Sequence, residues 1–200
     1  GSGIPSDSLT LAFQRFATSK LDTFDDIWAL ETMGFRGEAL PSIASIAKIE
    51  VQSRAKTSEI GKKLILQGGE VLEELETIPS VGTRIIVEDL FYNTPARLKF
   101  MRSENTEFGY VSQLITAFAL SFPEISFKLL KDGKETLYTT GNTTLTGVAR
   151  QLFGKELVTS LFTISYETEA GSITGLLSYP DYIRKDRNRQ FFFVNRRWVE

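Results

Sequence analysis

The stretch MGFRGEALPSIASI, residues 33–46, sets Gly34 and Gly37 around Phe35 and Arg36, directly ahead of an apolar run with helical spacing. A helix begins with unpaired backbone N–H groups and a partial positive charge, and glycines let the chain wrap closely around an anion there. Arg36 would add a charge-assisted contact, or else hold a structural carboxylate. On spacing alone, G-x-x-G before a helix is equally a turn between two helices. A second stretch with chemical content is RKDRNRQFFFVNRR, residues 184–197. There Arg184, Lys185, Arg187, Arg189, Arg196 and Arg197 stand against one acid, Asp186. Interleaved basic and aromatic residues serve phosphates and stacked bases. The same run also describes a solvated strand edge whose charges discourage edge pairing.

Composition narrows the chemistry further. The 200 residues contain no histidine and no cysteine, which excludes His-based triads, thiolate metal sites and disulfides. With 23 Lys+Arg against 25 Asp+Glu the net charge is -2, so attraction to nucleic acid has to be local rather than global. No apolar run approaches the roughly 20 residues of a membrane span, and no basic-then-apolar leader opens the sequence. The expectation is a soluble, cytoplasmic protein without a membrane partner.

The elements that must position these residues follow from periodicity. IPSDSLTLAFQRF predicts a helix capped by Ser6, with Asp7 in its first turn and Leu9, Ala12, Phe13 and Phe16 on one face. TFDDIWALE predicts a second, short helix with Thr23 and Asp26 as a capping box before Ile27 and Leu30. KIEVQSR alternates as a strand with Ile49 and Val51 on one side. KKLILQGGEVLEELE predicts a hairpin on Gly68-Gly69. TRIIVEDLFYNTPARLKF starts as a buried strand and is stopped by Asn93-Thr94-Pro95. Val111, Leu114, Ile115, Phe118 and Phe122 recur with the period of a helix packed on a sheet. ISFKLLKDGKETLYTT is a hairpin around Asp132-Gly133. After the polar break GNTT come a short helix TLTGVARQLFG, strands LFTISYE and SITGLLSY joined at Ala170-Gly171, and the aromatic strand QFFFVN. The break marks a domain boundary near Gly141, giving domains 1–141 and 142–200.

Four blocks then carry a resemblance. ATSKL (17–21), GFRGEALPSIASI (34–46), VGTRIIVEDLFYNTPARLKF (81–100) and FVNRR (193–197), in this order and spacing, resemble the N-terminal ATPase region of the MutL family of DNA mismatch-repair proteins. The resemblance runs over essentially the whole chain. It implies an α+β fold: a GHKL-type α/β sandwich that binds nucleotide, followed by a ribosomal-protein-S5-like α+β transducer domain. It assigns Gly34, Phe35, Arg36, Gly37, Glu38, Ala39 and Leu40 to backbone contacts with the phosphates of ATP. Thr18, Ser19 and Lys20 would lie in a lid over the nucleotide, and Thr83 would hydrogen-bond near the adenine. Gly1 and Gly3 resemble the tail of a D-x-G-x-G motif whose aspartate reads adenine; Gly-Ser-Gly is also the composition of a cloning remnant. Arg184, Lys185, Arg187, Arg189 and Arg197 would contact DNA.

Departures from the family pattern qualify that reading. The family's water-activating glutamate and magnesium-holding asparagine sit on a helix ahead of these blocks, with no counterpart in this sequence. The adenine-reading aspartate and a lysine that reaches the γ-phosphate are likewise without counterparts. Arg196 stands where the family has glycine. The resemblance thus implies a parent that uses ATP and Mg to control homodimerisation and signalling, with DNA and a MutS-type mismatch-recognition protein as partners. The chain alone is expected to turn over little or no ATP. The competing reading is a non-catalytic docking module for DNA or protein.

Overall fold

The computed structural model describes residues 1–15, 37–169 and 171–199. The lid residues Thr18, Ser19 and Lys20, the helix expected in TFDDIWALE, and Gly34, Phe35 and Arg36 of the glycine motif lie outside the described residues. Internal contacts group the chain into two units, 1–101 and 102–200.

The first unit is a four-stranded antiparallel sheet with short helices on one face. Strands β1 (Lys48–Arg54), β2 (Gly61–Gln67), β3 (Glu70–Thr77) and β4 (Gly82–Glu88) lie in the order β3-β2-β1-β4. Gly68 and Gly69, at φ 60° and 92°, make the two-residue β2–β3 turn that only a pair tolerant of positive φ makes easily. Register puts Ile49 opposite Leu66, and Val51 opposite Leu64, so these four side chains share one face. They are all but fully buried, together with Leu9, Phe13, Ala44 and Ala47. Covering them are helix α1 (Ser6–Leu9), a 3-10 turn at Leu11–Phe13 and helix α2 (Ala39–Ala44). Ser6 is the first helical residue rather than a cap. The cap position is Pro5, no side chain caps the end, and the expected longer helix ends after one turn.

Strand β4 corrects an expectation. Ile85 and Val87 face the same side as Val51 and Ile49, yet they are 40% and 44% exposed, because β4 is an edge strand of this sheet. Asn93-Thr94-Pro95 does more than stop the strand. Pro95 starts helix α3 (Pro95–Phe100), where its missing N–H would be unpaired anyway.

The second unit contains helices α4 (Glu104–Ser121), α5 (Leu145–Phe153) and α6 (Lys155–Thr159), with hairpins β5–β6 (Ser126–Lys131, Lys134–Thr140), β7–β8 (Leu161–Thr168, Gly171–Ser178) and β9–β10 (Phe192–Val194, Arg197–Val199). Asp132 and Gly133 turn β5 into β6 with φ of 50° and 75°. Thr144 caps α5 by accepting from the Gly147 N–H at 3.2 Å. In α4 only the C-terminal half finds a core: Ala117, Ala119 and Leu120 are buried, whereas Val111 and Leu114 stay exposed. Ala119, Leu120 and Val148 form that core, with Phe127, Leu145, Leu152, Phe153, Phe191 and Phe193 packed around it. The core draws on residues from both sides of Gly141, so the polar break lies inside this unit.

Candidate nucleotide and nucleic-acid sites

A buried hydroxyl at the end of β1 ties down the segment before α1. Ser53 falls on the buried face of β1 in register after Ile49 and Val51, and is fully buried. Its Oγ accepts from the Ile4 N–H at 2.7 Å and lies 3.1 Å from the Ile4 carbonyl oxygen, 3.3 Å from that of Gly82 and 2.9 Å from Thr83 Oγ1. Gly3, at φ 76°, approaches so closely that a Cβ would stand 2.0 Å from the Arg54 carbonyl oxygen. The Lys56 N–H donates to the Ser2 carbonyl at 2.9 Å, and a Cβ on Gly82 would lie 3.9 Å from the Gly1 carbonyl oxygen. Three residues singled out in the sequence, Gly1, Gly3 and Thr83, therefore meet at one corner of the sheet. The glycine at position 3 is required by packing on β1 itself. Ser53, which ties Ile4 to Gly82 and Thr83 there, was missed; the legible signal was a polar residue in the apolar register of an alternating strand.

The glycine motif enters the described residues at Gly37, whose φ of 63° is a left-handed conformation that suits glycine. Glu38 and Ala39 are exposed, and Leu40 packs against the core. No side chain caps α2. Its far end is fixed by the other specific block: Asn93 Nδ2 donates to the Ser45 carbonyl at 2.9 Å, and the Phe91 N–H donates to the Ile46 carbonyl at 2.7 Å. Phe91 adopts φ 68° to do so, after Asp89 at φ 51°, which pairs with Lys48 at 2.8 Å. LFYNTPAR thus orients the helix that follows the glycines. Among the described residues no three acidic side chains converge as a metal site.

The basic segment is resolved into unequal parts. Residues 180–190 form a loop rather than a strand edge. Arg184 pairs with Asp186 at 2.9 Å. The Asp186 carboxyl is held below its usual range by the Asn188 backbone N–H first and Arg184 second. Arg189 lies over the Phe153 ring, 5.3 Å from its centroid. Lys185 and Arg187 are exposed, and their side chains make no ion pair or hydrogen bond among the described residues. Phe191 and Phe193 pack against the core, Phe191 stacking on Phe153 with centroids 6.4 Å apart, whereas Phe192 between them is 68% exposed. Arg197 begins β10, and Arg196 pairs with Glu124 at 2.5 Å.

Solved structures match over the whole chain. The N-terminal domain of a DNA repair protein matches with TM-score 0.79 and 25% identity, over 63% of that chain. The MutL ATPase domain of Aquifex aeolicus, complexed with ADP, matches with TM-score 0.71 and 26% identity over 68% of its chain. This fold is α+β, a GHKL-type sandwich followed by a ribosomal-protein-S5-like domain. A family model described as DNA mismatch repair protein, C-terminal domain, matches residues 149–200. MutL of Halothermothrix orenii is 43% identical over 199 residues, and that of Clostridium tetani 40% over 200, each match covering all of this chain. Over its whole length the chain is similar to the MutL family of DNA mismatch-repair proteins. It spans 31% and 32% of the length of those two relatives.

Proposed function

We propose that this chain forms the nucleotide-binding part of a MutL-type ATPase and the start of its transducer. The observation that carries this reading is the match of the whole chain to 68% of a MutL ATPase domain complexed with ADP. The corner built by Gly1, Gly3 and Thr83 would receive the base. The backbone N–H groups of residues 34–40 would receive the phosphates, and Thr18, Ser19 and Lys20 would close over them. Magnesium bound with ATP would neutralise phosphate charge; the described residues supply no acidic cluster of their own for it. Residues 142–200 would act as the transducer, a boundary near which the family-model match begins.

In this reading ATP binding and hydrolysis control homodimerisation, and with it signalling from a MutS-type mismatch-recognition protein to strand incision, in the cytoplasm. Among the described residues no helix is long and apolar enough to cross a membrane. DNA docking is favoured by one specific observation, the uncommitted charges of Lys185 and Arg187. The direct experiment is titration of the chain with ADP and ATP by calorimetry, with inorganic phosphate as control. Saturable one-to-one nucleotide binding supports the proposal; no heat beyond that of phosphate would refute it.

A further inference from the structure

We infer that the cleft between α4, β6 and α5 binds an uncharged ring with a cyclic-amide edge, of the kind a pyrimidine base carries. The cleft lies within the second unit and shares no residue with the candidate nucleotide or DNA sites.

Its volume is 240 Å3. That is below the ~300–1,000 Å3 of sites for drug-sized ligands and equals about eight waters' share of the liquid, so it suits a single ring. Two walls are helical. Ser112 and Thr116, four residues apart, share one face of α4, and Gln151 and Leu152 come from α5. The third wall is β6, which contributes Thr136, Leu137 and Tyr138. Successive side chains of a regular strand point to opposite faces, so three in a row around one cleft require an irregularity. It is present: Leu129 pairs with Leu137 but Leu130 with Glu135, which leaves Thr136 as the extra residue of a β-bulge. Such a bulge re-aims a side chain.

The polar groups of the cleft are neutral, and their valences can be counted. Gln151 Oε1 accepts from the Thr140 N–H at 3.1 Å, and Gln151 Nε2 donates to Thr140 Oγ1 at 2.9 Å. This fixes the orientation of the amide and leaves it one N–H to spare. Thr136 donates its proton to the Leu129 carbonyl at 3.1 Å, so it offers only lone pairs. The hydroxyls of Ser112, Thr116 and Tyr138 have no hydrogen-bond partner among the described residues. No lining side chain is charged at neutral pH, so an ion entering the cleft would lose water without meeting a counter-charge.

The amide edge of the ligand follows from β6. Among the described residues its sheet has only two strands, so one edge of β6 lacks a strand partner. Backbone groups alternate between the two edges of a strand, and the Thr140 N–H is turned toward Gln151 of α5. The next N–H and C=O on that edge are those of Tyr138, in the wall of the cleft. The Gln151 side chain already acts as an amide partner for Thr140. A ring with adjacent N–H and C=O groups does the same for Tyr138, one step along the strand. Touching α5 as well as α4 and β6, it stabilises their packing.

The test is titration of the isotope-labelled chain with uracil, followed by NMR and by thermal melting. Uracil should shift the Tyr138 amide resonance saturably, with a Kd of about 1 mM or below, and raise the melting temperature. Dimethyluracil, methylated on both ring nitrogens, lacks the N–H groups, and orotate adds a carboxylate; each should bind about tenfold more weakly. Ser112→Leu fills the cleft from a half-buried position on α4 and should abolish the Tyr138 shift. Thr136→Leu does so from the exposed strand, should the helix variant fold poorly. Saturating ADP should leave the uracil response unchanged, so this inference and the nucleotide reading fail separately. Loss of the response under ADP would place uracil in the nucleotide site and overturn the inference. So would the absence of a saturable shift up to about 10 mM uracil, equal binding of dimethyluracil, or an unchanged response in a folded cleft-filling variant.

Discussion

Arg196 sits in the left-handed region at φ 62° and reaches from the β9–β10 turn to Glu124, Nη1 to Oε1 2.5 Å. Asn195 before it is at φ 48°, so the pair makes a two-residue turn of the kind that favours Asn-Gly. The same arginine lies over the Phe122 ring at 5.3 Å, and its carbonyl accepts from Ser121 Oγ at 2.6 Å. Backbone strain of about 1 kcal/mol, typical for a side chain in this region, is thereby offset by side-chain interactions with the end of α4.

This balance gives an ordered expectation. Arg196→Ala keeps the strain and removes the ion pair and ring stacking, so it melts below the unaltered chain. Arg196→Gly removes those interactions and the strain together and melts above Arg196→Ala. Thermal denaturation followed by circular dichroism ranks the three; an alanine variant equal to or above the glycine variant would show that the turn is not strained.

The core and the edge of the first sheet should respond differently. Leu64→Ala removes a fully buried side chain and should cost about 2–4 kcal/mol. Val87→Ala, on the same face but 44% exposed, should cost less than about 1 kcal/mol. Urea titration of each variant gives both values. The half-exposed Ile85 and Val87 also predict concentration-dependent self-association, read by light scattering.

Acid should destabilise the fold. Glu50 is held below the usual glutamate range first by Lys63, and Glu74 first by Lys62. Glu124 is lowered first by its own backbone N–H and then by Arg196. A carboxyl whose folded pKa is depressed contributes stability above its unfolded value, near 4.3 for glutamate, and loses it as pH falls through the folded value. The melting temperature should therefore drop as pH is lowered from about 5 toward 3, and Glu74→Gln should flatten that drop. A pH-independent melting temperature over this window contradicts the assignment.

Asn93 should couple to α2. Asn93→Ala removes the amide that holds the Ser45 carbonyl and should cost about 1 kcal/mol. Hydrogen exchange should speed up at the α2 amides and not at β2–β3. Uniform acceleration across the sheet would mean that the bond does not act locally.

Lys185 and Arg187 should govern DNA affinity. Replacing both by alanine should weaken binding equally for matched and mismatched duplexes, and reduce the log–log salt slope by about 1 for each phosphate no longer neutralised. Replacing Arg184, already paired with Asp186, should do less. Anisotropy of a labelled duplex at several salt concentrations supplies the slopes, and an unchanged slope in the double variant would move DNA binding to another surface.

Turns and buried strands were legible because local chemistry decides them. Gly68-Gly69 and Asp132-Gly133 announce hairpins, and the alternation of Ile49 and Val51 announces a face. Burial was less legible. Val111 and Leu114 have the same helical period as Phe118 and Phe122, but periodicity does not say which half of a helix meets a partner. β4 reads as buried because Ile85, Ile86 and Val87 are apolar, whereas burial depends on a neighbour supplied by another part of the chain. At the candidate site the sequence named Gly1, Gly3 and Thr83 through resemblance, and missed Ser53 because hydrogen bonding across 29 to 49 residues leaves no local trace. Burial in the aromatic run was illegible for the same reason: Phe191 and Phe193 pack against a core formed by distant helices, whereas Phe192 is 68% exposed.

The strand order β3-β2-β1-β4 carries a kinetic consequence. The β2–β3 hairpin closes through two glycines, whereas β4 has to travel past both strands to reach the far edge of β1. Local pairings close quickly and long loops slowly, so β4 should dock last, and with it the Ser53–Thr83 hydrogen bond. Gly69→Ala should then slow refolding, while Ser53→Ala should leave the refolding rate nearly unchanged and accelerate unfolding. Stopped-flow chevrons would separate the two, and a slowed refolding limb in Ser53→Ala would place this corner in the folding nucleus instead. On this timing the Ser53–Thr83 corner is the last part of the sheet to assemble and the first to open.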